Sequence, residues 1–508
     1  MPAKLLTLVF ILLWLPGSGG IQISKAIPVA DWQAKIDPWV TRTAQQGETE
    51  FILLLSEQAD LSGAEALATR QEKGAFVYRQ LVETASRTQG PVLAALAAAG
   101  VEYRPYWIAN MVWVRGNLRL VQTLAPRPDI VHIYANPRVR LELPVPTPPI
   151  FKPGETSKIE SNISQVGAPQ VWAAGYTGHG VVLGGQDTGY EWDHPALKNH
   201  YLGWSGNSVD HNYHWHDAIH DDLGNPCGAD SLEPCDDDGH GTHTMGTMVG
   251  DDPEHKNRIG MAPGAKWIGC RNMDNGVGTP VTYSECFQWF LAPTDLAGEN
   301  PDPSRAPDVI NNSWGCTPEE GCTNPNILRS VVEALRAAGI LVVVSAGNSG
   351  PNCSTIDMPP TIYAAALTVG STNSADEVST FSSRGPVVVD GSGRLKPDVG
   401  APGERIRSSN RFDGYDELSG TSMAGPHVAG LAALLISVDP ALRGDVNRLE
   451  SLIARSSKPI RVEQECGGVS GREIPNNSAG WGRIDALAAY FELRGAYRIN
   501  IPAVLNGP

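Results

Sequence analysis

Apolar positions along this chain fall into three patterns. After Lys4 they form one run, Leu5 to Leu15, that ends in Pro16-Gly17-Ser18-Gly19-Gly20. A membrane helix needs about 20 such positions. This shorter run, with its charged, apolar and small-residue regions, reads as a secretory leader over 1–20. No later segment reads as long enough to span. In the second pattern, over 48–136, short apolar strands alternate with helical stretches. Strands are expected at Glu50 to Leu55, Val101 to Trp107, Met111 to Val114 and Ile130 to Tyr134, with helices at Gly63 to Gln89 and Leu118 to Leu124. This β-α-β-β-α-β order predicts a small α+β, ferredoxin-like domain. The third pattern starts near Glu160. Continuous apolar strands at Val181 to Leu183, Lys266 to Cys270, Val309 to Asn311, Ile340 to Ser345 and Ala364 to Val369 alternate with helical stretches. Strands apolar on both sides predict an α/β domain over 161–490, a parallel sheet with helices on both faces. Between the two domains, 137–160 carries Pro144, Pro146, Pro148, Pro149 and Pro153, which predict an extended, exposed linker. A short tail, 491–508, carries no legible role.

Length and composition agree with this layout. A chain of 508 residues exceeds one usual core. Its formal charge of −16 argues against a nucleic-acid partner. All eight cysteines lie beyond the leader, and an even count in an exported chain favours disulfides. Short loops favour Cys227 with Cys235 and Cys316 with Cys322. Cys270, Cys286, Cys353 and Cys466 are left to pair among themselves in an order that spacing does not fix. No Cys-x-x-Cys or Cys-x-x-His pair lies near a second one, so zinc is disfavoured.

Three short segments carry candidate chemistry: Asp187-Thr188-Gly189, His240-Gly241-Thr242-His243 and Gly420-Thr421-Ser422-Met423-Ala424. A serine hydroxyl is a poor nucleophile near neutral pH. It needs an imidazole to take its proton and a carboxylate to orient that imidazole. The segments supply Ser422, His240 and Asp187 for these parts. Ser422 falls at the start of an apolar helical stretch, where the helix N-terminus favours negative charge developing on a substrate. Taken singly, Ser422 is a helix cap and Asp187 a turn former. His240 and His243 lack the spacing and intervening Glu of a metalloprotease helix.

The order Asp, His, Ser, together with GVVLGGQDTGYEWDHPAL, IGMAPGAKWIG, APDVINNSWG and GTSMAGPHVAG, resembles the subtilase family from about Ile163 to about Ala489. The likeness is greatest to its bacillopeptidase F branch. The resemblance implies a subtilisin-like, three-layer α/β fold and a secreted serine endopeptidase that hydrolyses proteins and peptides through an acyl-enzyme. It also implies that the 48–136 domain is an inhibitory propeptide that aids folding, lays its C-terminal tail through the active site, and is removed by cleavage in or beside the linker. A separate binding domain is the alternative. By the same resemblance Asn348 is the oxyanion donor. Ser313, Trp314 and Gly315 form a substrate-lining strand, Ser345, Ala346 and Gly347 the opposing wall, and Asp357 lies near the base of the pocket for the residue before the cut. A carboxylate there would favour Arg or Lys; an exposed loop aspartate is the plainer reading.

No cofactor is required for such chemistry. Structural calcium is compatible with the family, yet Ala196 follows His194-Pro195 where many members have a calcium-ligating aspartate. The acidic pairs and triplets Asp221-Asp222 and Asp236-Asp237-Asp238 are rival calcium sites or solvated loops. His211, His214, His216 and His220 with Asp217 offer ligands to a transition metal. A catalytically silent peptide binder and an acid peptidase of the sedolisin type are the competing functions, and His240 with Asn348 argues against the second.

Overall fold

The seven strands at the centre of the molecule are buried almost throughout, which explains the apolar cores, such as Leu341-Val342-Val343-Val344, that most of them carry. The computed structural model describes residues 32–141, 159–221 and 224–495. The leader, Pro144 to Pro153 of the linker, and the tail beyond Gly495 lie outside the described residues. Two small hairpins aside, the strands in chain order are β1 (Thr49–Leu55), β2 (Tyr103–Tyr106), β3 (Met111–Gly116), β4 (Ile130–Ala135), β5 (Val139–Arg140), β6 (Val182–Asp187), β7 (Trp215–Asp217), β8 (Lys266–Arg271), β9 (Met273–Asp274), β10 (Val277–Gly278), β11 (Val309–Asn312), β12 (Leu341–Ser345), β13 (Leu367–Thr372) and β14 (Val399–Pro402). The large sheet is parallel throughout, in the order β14-β13-β12-β11-β6-β8-β7.

Strand periodicity divides its side chains between two cores. Leu183, Trp267, Val309, Leu341, Val343 and Val369 pack with the Thr421–Val438 helix. Ile268, Ile310, Val342 and Val344 face the opposite way, toward the Pro280–Leu291 and Arg329–Ala337 helices. This is the expected three-layer α/β arrangement. The Thr421–Val438 helix has 18 residues and a mean hydropathy of 1.4, enough in length and composition to cross a membrane, contrary to the sequence expectation. Its surroundings explain that composition: 94% of it is buried inside the protein, where a core helix is apolar all round.

The N-terminal sheet is antiparallel, in the order β2-β3-β1-β4. Phe51, Leu53 and Leu55 of β1 pack inward with Val92, Leu96, Val121 and Leu124. Ile52 points the other way, into the core that holds the Pro280–Leu291 helix. Both faces of this sheet are therefore covered, one by its own helices and one by the large domain. The first helix is shorter than the apolar pattern suggests. It runs Arg70–Thr88, because Thr69 and Glu72 close a reciprocal capping box at its start. A further helix, Gly90–Ala99, begins with Pro91 in its first turn and ends at left-handed Gly100. The Pro38–Ala44 helix also packs here, with Val40 fully buried.

Polar bonds fix the seam between the domains. The Tyr106 hydroxyl donates to Glu285 Oε2 at 2.6 Å. Asn136 accepts the Val281 amide at 3.0 Å, capping the Pro280–Leu291 helix. Arg70 pairs with buried Asp308 at 3.2 Å, and Lys73 donates to the Gly444 carbonyl at 2.7 Å.

Four disulfides are formed. Cys227–Cys235 and Cys316–Cys322 match the short-loop expectation. The pairing that the sequence left open is Cys270–Cys286 and Cys353–Cys466. The first ties β8 to the Pro280–Leu291 helix. The second joins two loops 113 residues apart.

Candidate active site

The candidate carboxylate stands at the end of β6, and the candidate imidazole opens the His240–Val249 helix. Two glycines let these segments meet. Gly189 has φ +116°, and a Cβ there would come within 1.8 Å of the Cys235 carbonyl oxygen. A Cβ on Gly241 would sit 2.1 Å from the Gly189 carbonyl oxygen and 3.0 Å from Asp187 Cβ. Only the absence of a side chain permits either approach. With the gap closed, His240 Nδ1 donates to Asp187 Oδ1 at 2.7 Å. The same carboxylate accepts the Thr188 amide at 2.8 Å and the Thr244 hydroxyl at 3.4 Å.

Burial pulls the His240 imidazole toward lower pKa. The Asp187 charge and hydrogen bond, with Asp238 and Asp236 behind them, more than offset this, and the net direction is upward. His240 Nε2 is buried and has no hydrogen-bond partner among the described residues.

Ser422 lies in the first turn of the Thr421–Val438 helix and is 3% exposed. Its hydroxyl donates to the Ser313 carbonyl at 3.1 Å, and the Ser313 hydroxyl returns a bond to the Ser422 carbonyl at 2.9 Å. Asn348 is tied to the same helix start. The Thr421 amide and hydroxyl donate to its Oδ1 at 2.9 and 3.0 Å, and the Gly347 amide donates to the Thr421 hydroxyl at 3.1 Å. With the oxygen of the Asn348 amide engaged by Thr421, its NH2 edge faces away from that residue.

Ser313, Gly315, Ser345, Gly347, Asn348 and Ser422 line one cavity of about 330 Å³. Trp314 also lines it, its buried indole stacked 3.8 Å from Tyr283 and bonded to the Gln186 carbonyl at 3.1 Å. Ala346 is fully buried behind the wall. The Ser313-Trp314-Gly315 segment follows β11 and is not itself in a strand. Met358 packs at the bottom, against both Gly315 and Gly347. Asp357, its neighbour, is partly buried and does not line the cavity. Burial, then the charge of Glu319, pushes its carboxyl up to about 6.

Sequence reasoning missed the other edge of the cleft. β5 of the interdomain segment lies along β10 as an antiparallel pair, Val139 opposite Gly278 and Arg140 opposite Val277. The Leu141 amide continues the ladder to the Gly276 carbonyl at 2.7 Å. Val139, Arg140 and Leu141 line the same cavity as Ser422. Asn-Gly at 275–276, between Met273 and Val277, was the available signal for a hairpin edge here.

The acidic and histidine-rich segments have structural work. Asp236 accepts bonds from Thr188, Gly239 and Thr242, which brace the turn before His240. Buried Arg271 joins Asp217 and Asp237 at 3.1 and 2.8 Å. Asp221 pairs with Arg115 at 3.2 Å, and Asp222 lies outside the described residues. His211 bonds the Tyr201 hydroxyl, His214 the Asp210 carbonyl, and His216 and His220 both bond Glu285. Among the described residues no three or more His, Cys, Asp or Glu side chains converge as metal ligands.

The subtilase family model matches residues 178–482. The chain is 34% identical to Bacillopeptidase F of Bacillus subtilis over 441 residues, 84% of this chain and 29% of that protein. It is 34% identical to the serine protease AprX of the same species, covering 53% of this chain and 60% of the relative. Subtilisin E, again from Bacillus subtilis, is 32% identical over 55% of this chain and 61% of its own length. This chain thus spans less than two thirds of each of these three relatives. Both the extent of the family match and the α/β sheet that carries it lead to one conclusion: the chain belongs to the subtilase family.

Proposed function

We propose that this chain is a secreted serine endopeptidase, made with a leader and a propeptide, that cuts proteins through an acyl-enzyme. The observation that carries the proposal is the 2.7 Å His240–Asp187 bond, whose imidazole Nε2 has no partner among the described residues, with Ser422 and Asn348 brought together in one cleft. Ser422 leaves its bond to the Ser313 carbonyl, gives its proton to His240 Nε2 and attacks the scissile carbonyl carbon. Asp187 holds the imidazole in the tautomer with Nδ1 protonated and stabilises its charged form. The Asn348 NH2 and the Ser422 amide donate to the oxyanion. His240 then returns the proton to the leaving amine. Water attacks the acyl-enzyme by the same route in reverse, releasing the second product and restoring Ser422. The family uses no cofactor in this chemistry.

The 48–136 domain serves as the propeptide, with β5 holding the cleft closed to other peptides until the linker is cut. The β5–β10 ladder supports this reading, because a strand in a cleft is also how an extended substrate binds through its backbone. Asp357, below the cleft beside Glu319, gives the enzyme a preference for a basic residue before the cut.

The test is the size and N-terminal sequence of the exported product, for wild type beside Ser422→Ala, both carrying the full leader and N-terminal domain. Shortening of wild type alone, with a new N-terminus between Pro137 and Gly167, is expected. Equal processing of both forms would assign maturation to another protease. Equal retention of the N-terminal domain would point to a silent peptide binder.

A further inference from the structure

We infer that Glu320 binds the main chain of the peptide in the cleft, accepting the amide of the residue that stands where Arg140 stands. This rests on the reading that the cleft takes an extended peptide, and it adds a positioning residue on the wall opposite β10.

The loop from Cys316 to Cys322 is built to present this carboxylate. Its ends are joined by a disulfide. Inside it the Cys322 amide donates to the Thr317 carbonyl and the Gly321 amide to the Pro318 carbonyl, both at 3.1 Å. Thr317 and Glu320 bond reciprocally. The Thr317 amide and hydroxyl donate to Glu320 Oε2 at 3.1 and 3.0 Å, and the Glu320 amide donates back to the Thr317 hydroxyl at 3.3 Å. One carboxylate oxygen is thereby fixed by the loop. The other, Oε1, accepts the Arg140 amide at 2.9 Å.

Strand geometry explains why such an acceptor is needed. Successive residues of an extended chain point their amides to opposite edges. The Leu141 amide goes to the Gly276 carbonyl on the β10 side. The Arg140 amide must find its partner on the other side, and there the chain beyond β11 has left its strand. Glu320 supplies by side chain what a neighbouring strand would supply by backbone. The bond is charge-assisted, hence stronger than a neutral one. It reads no side chain, since the Arg140 side chain itself is exposed. A residue that grips only main chain suits a cleft that accepts many sequences.

Two measurements test this. In the full chain carrying Ser422→Ala, amide exchange is followed at Arg140 and Leu141 with and without Glu320→Ala. Exchange at Arg140 is expected to rise about tenfold or more while Leu141 stays protected, and Glu320→Gln, which keeps an acceptor oxygen, to rise less. Unchanged Arg140 exchange, or an equal rise at both amides, overturns the assignment. The second measurement uses the peptide of residues 137–144 in trans as a competitor, with and without N-methylation at the Arg140 position. Wild type is expected to bind the unmethylated form about tenfold better, and Glu320→Ala to bind both alike. An undiminished ratio in Glu320→Ala rules Glu320 out. Absence of any peptide hydrolysis by wild type would defeat the protease reading instead, and leaves the exchange result standing by itself.

Discussion

Two histidine–carboxylate groupings in this protein, one fully buried and one with half-buried histidines around a buried carboxylate, have nearly the same bond lengths and different capacities. His240 meets Asp187 at 2.7 Å, and His220 and His216 meet Glu285 at 2.8 and 3.0 Å. At the second site the carboxylate and His220 are tied into structure. His220 also bonds Asp230 through Nδ1 at 2.6 Å, and Glu285 takes a further bond from Tyr106 across the domain seam. At the first, the imidazole is bonded through Nδ1, and Nε2 has no hydrogen-bond partner among the described residues. A histidine beside a carboxylate is therefore not a sign of catalysis in itself. What separates the two is a fully buried ring nitrogen without a partner among the described residues, in a chain that also gathers a serine and an amide donor in one cleft.

The strongest way to break this comparison is to remove the histidines in turn. His240→Ala is expected to lower kcat by about 10⁶, the scale subtilisin itself sets and not one that these distances fix. His216→Ala and His220→Ala should leave kcat of the matured enzyme unchanged. A comparable loss from either would place the second grouping in the reaction. Next in size is Asn348→Ala, with an expected fall in kcat of about 10² to 10³ at nearly constant KM, again on the scale known for this donor in subtilisin. A change confined to KM would mean that Asn348 only positions substrate.

These contrasts were partly legible in the chain. The strands of the large sheet could be read because both faces are buried, so β12 is an apolar run and β8 and β11 carry the apolar pairs Trp267-Ile268 and Val309-Ile310. β7 and β14 escaped notice because Trp215-His216-Asp217 is short and polar and Val399-Gly400-Ala401-Pro402 contains Gly and Pro at a sheet edge. Motif words brought forward Asp187, His240, Asn348 and Ser422, and the geometry sets Asp187 against His240. The use of His216 and His220 by Glu285 was not legible, since the partner lies 69 and 65 residues away on another element. For the same reason Glu320 passed as a loop acid, and the long-range disulfide pairing stayed open.

A smaller effect concerns Asp357. Its carboxyl is pushed up to about 6 by burial and by Glu319, so it is neutral below that value and charged above it. Preference for Arg over Leu before the cut is expected to be about fivefold above pH 7 and to fade as pH drops through about 6. Asp357→Ser should remove the preference at every pH. Profiles that coincide for the two forms would return Asp357 to the status of a surface aspartate, which its position outside the cavity lining makes a sharp test.

The last prediction turns on pH, where the two groupings should respond with opposite sign. Catalysis needs His240 neutral, and its pKa is raised above the ordinary 6.5, so kcat should rise with pH through that raised value. At the other site, burial pulls His220 down, but the Glu285 bond and charge prevail and raise its pKa above 6.5. Burial would raise Glu285, but bonds from His216 and His220 hold it below the ordinary 4.5. A raised histidine stabilises the fold below its unfolded pKa and loses that contribution as pH rises through its folded pKa. A depressed carboxylate stabilises above its unfolded pKa and loses it toward acid. The pair is therefore strongest between pH 4.5 and 6.5, where both contributions are complete. Tyr106→Phe removes one donor to this buried carboxylate and should lower the stability of the Ser422→Ala full chain by about 1.5–3 kcal/mol. The parent's thermal midpoint, followed from pH 5 to 8, should fall as His220 loses its proton, while His220→Gln flattens that dependence. A midpoint that rises over the same range would mean that Glu285 is held by Tyr106 and by Arg104, whose guanidinium lies 3.6 Å from it, without help from the histidines.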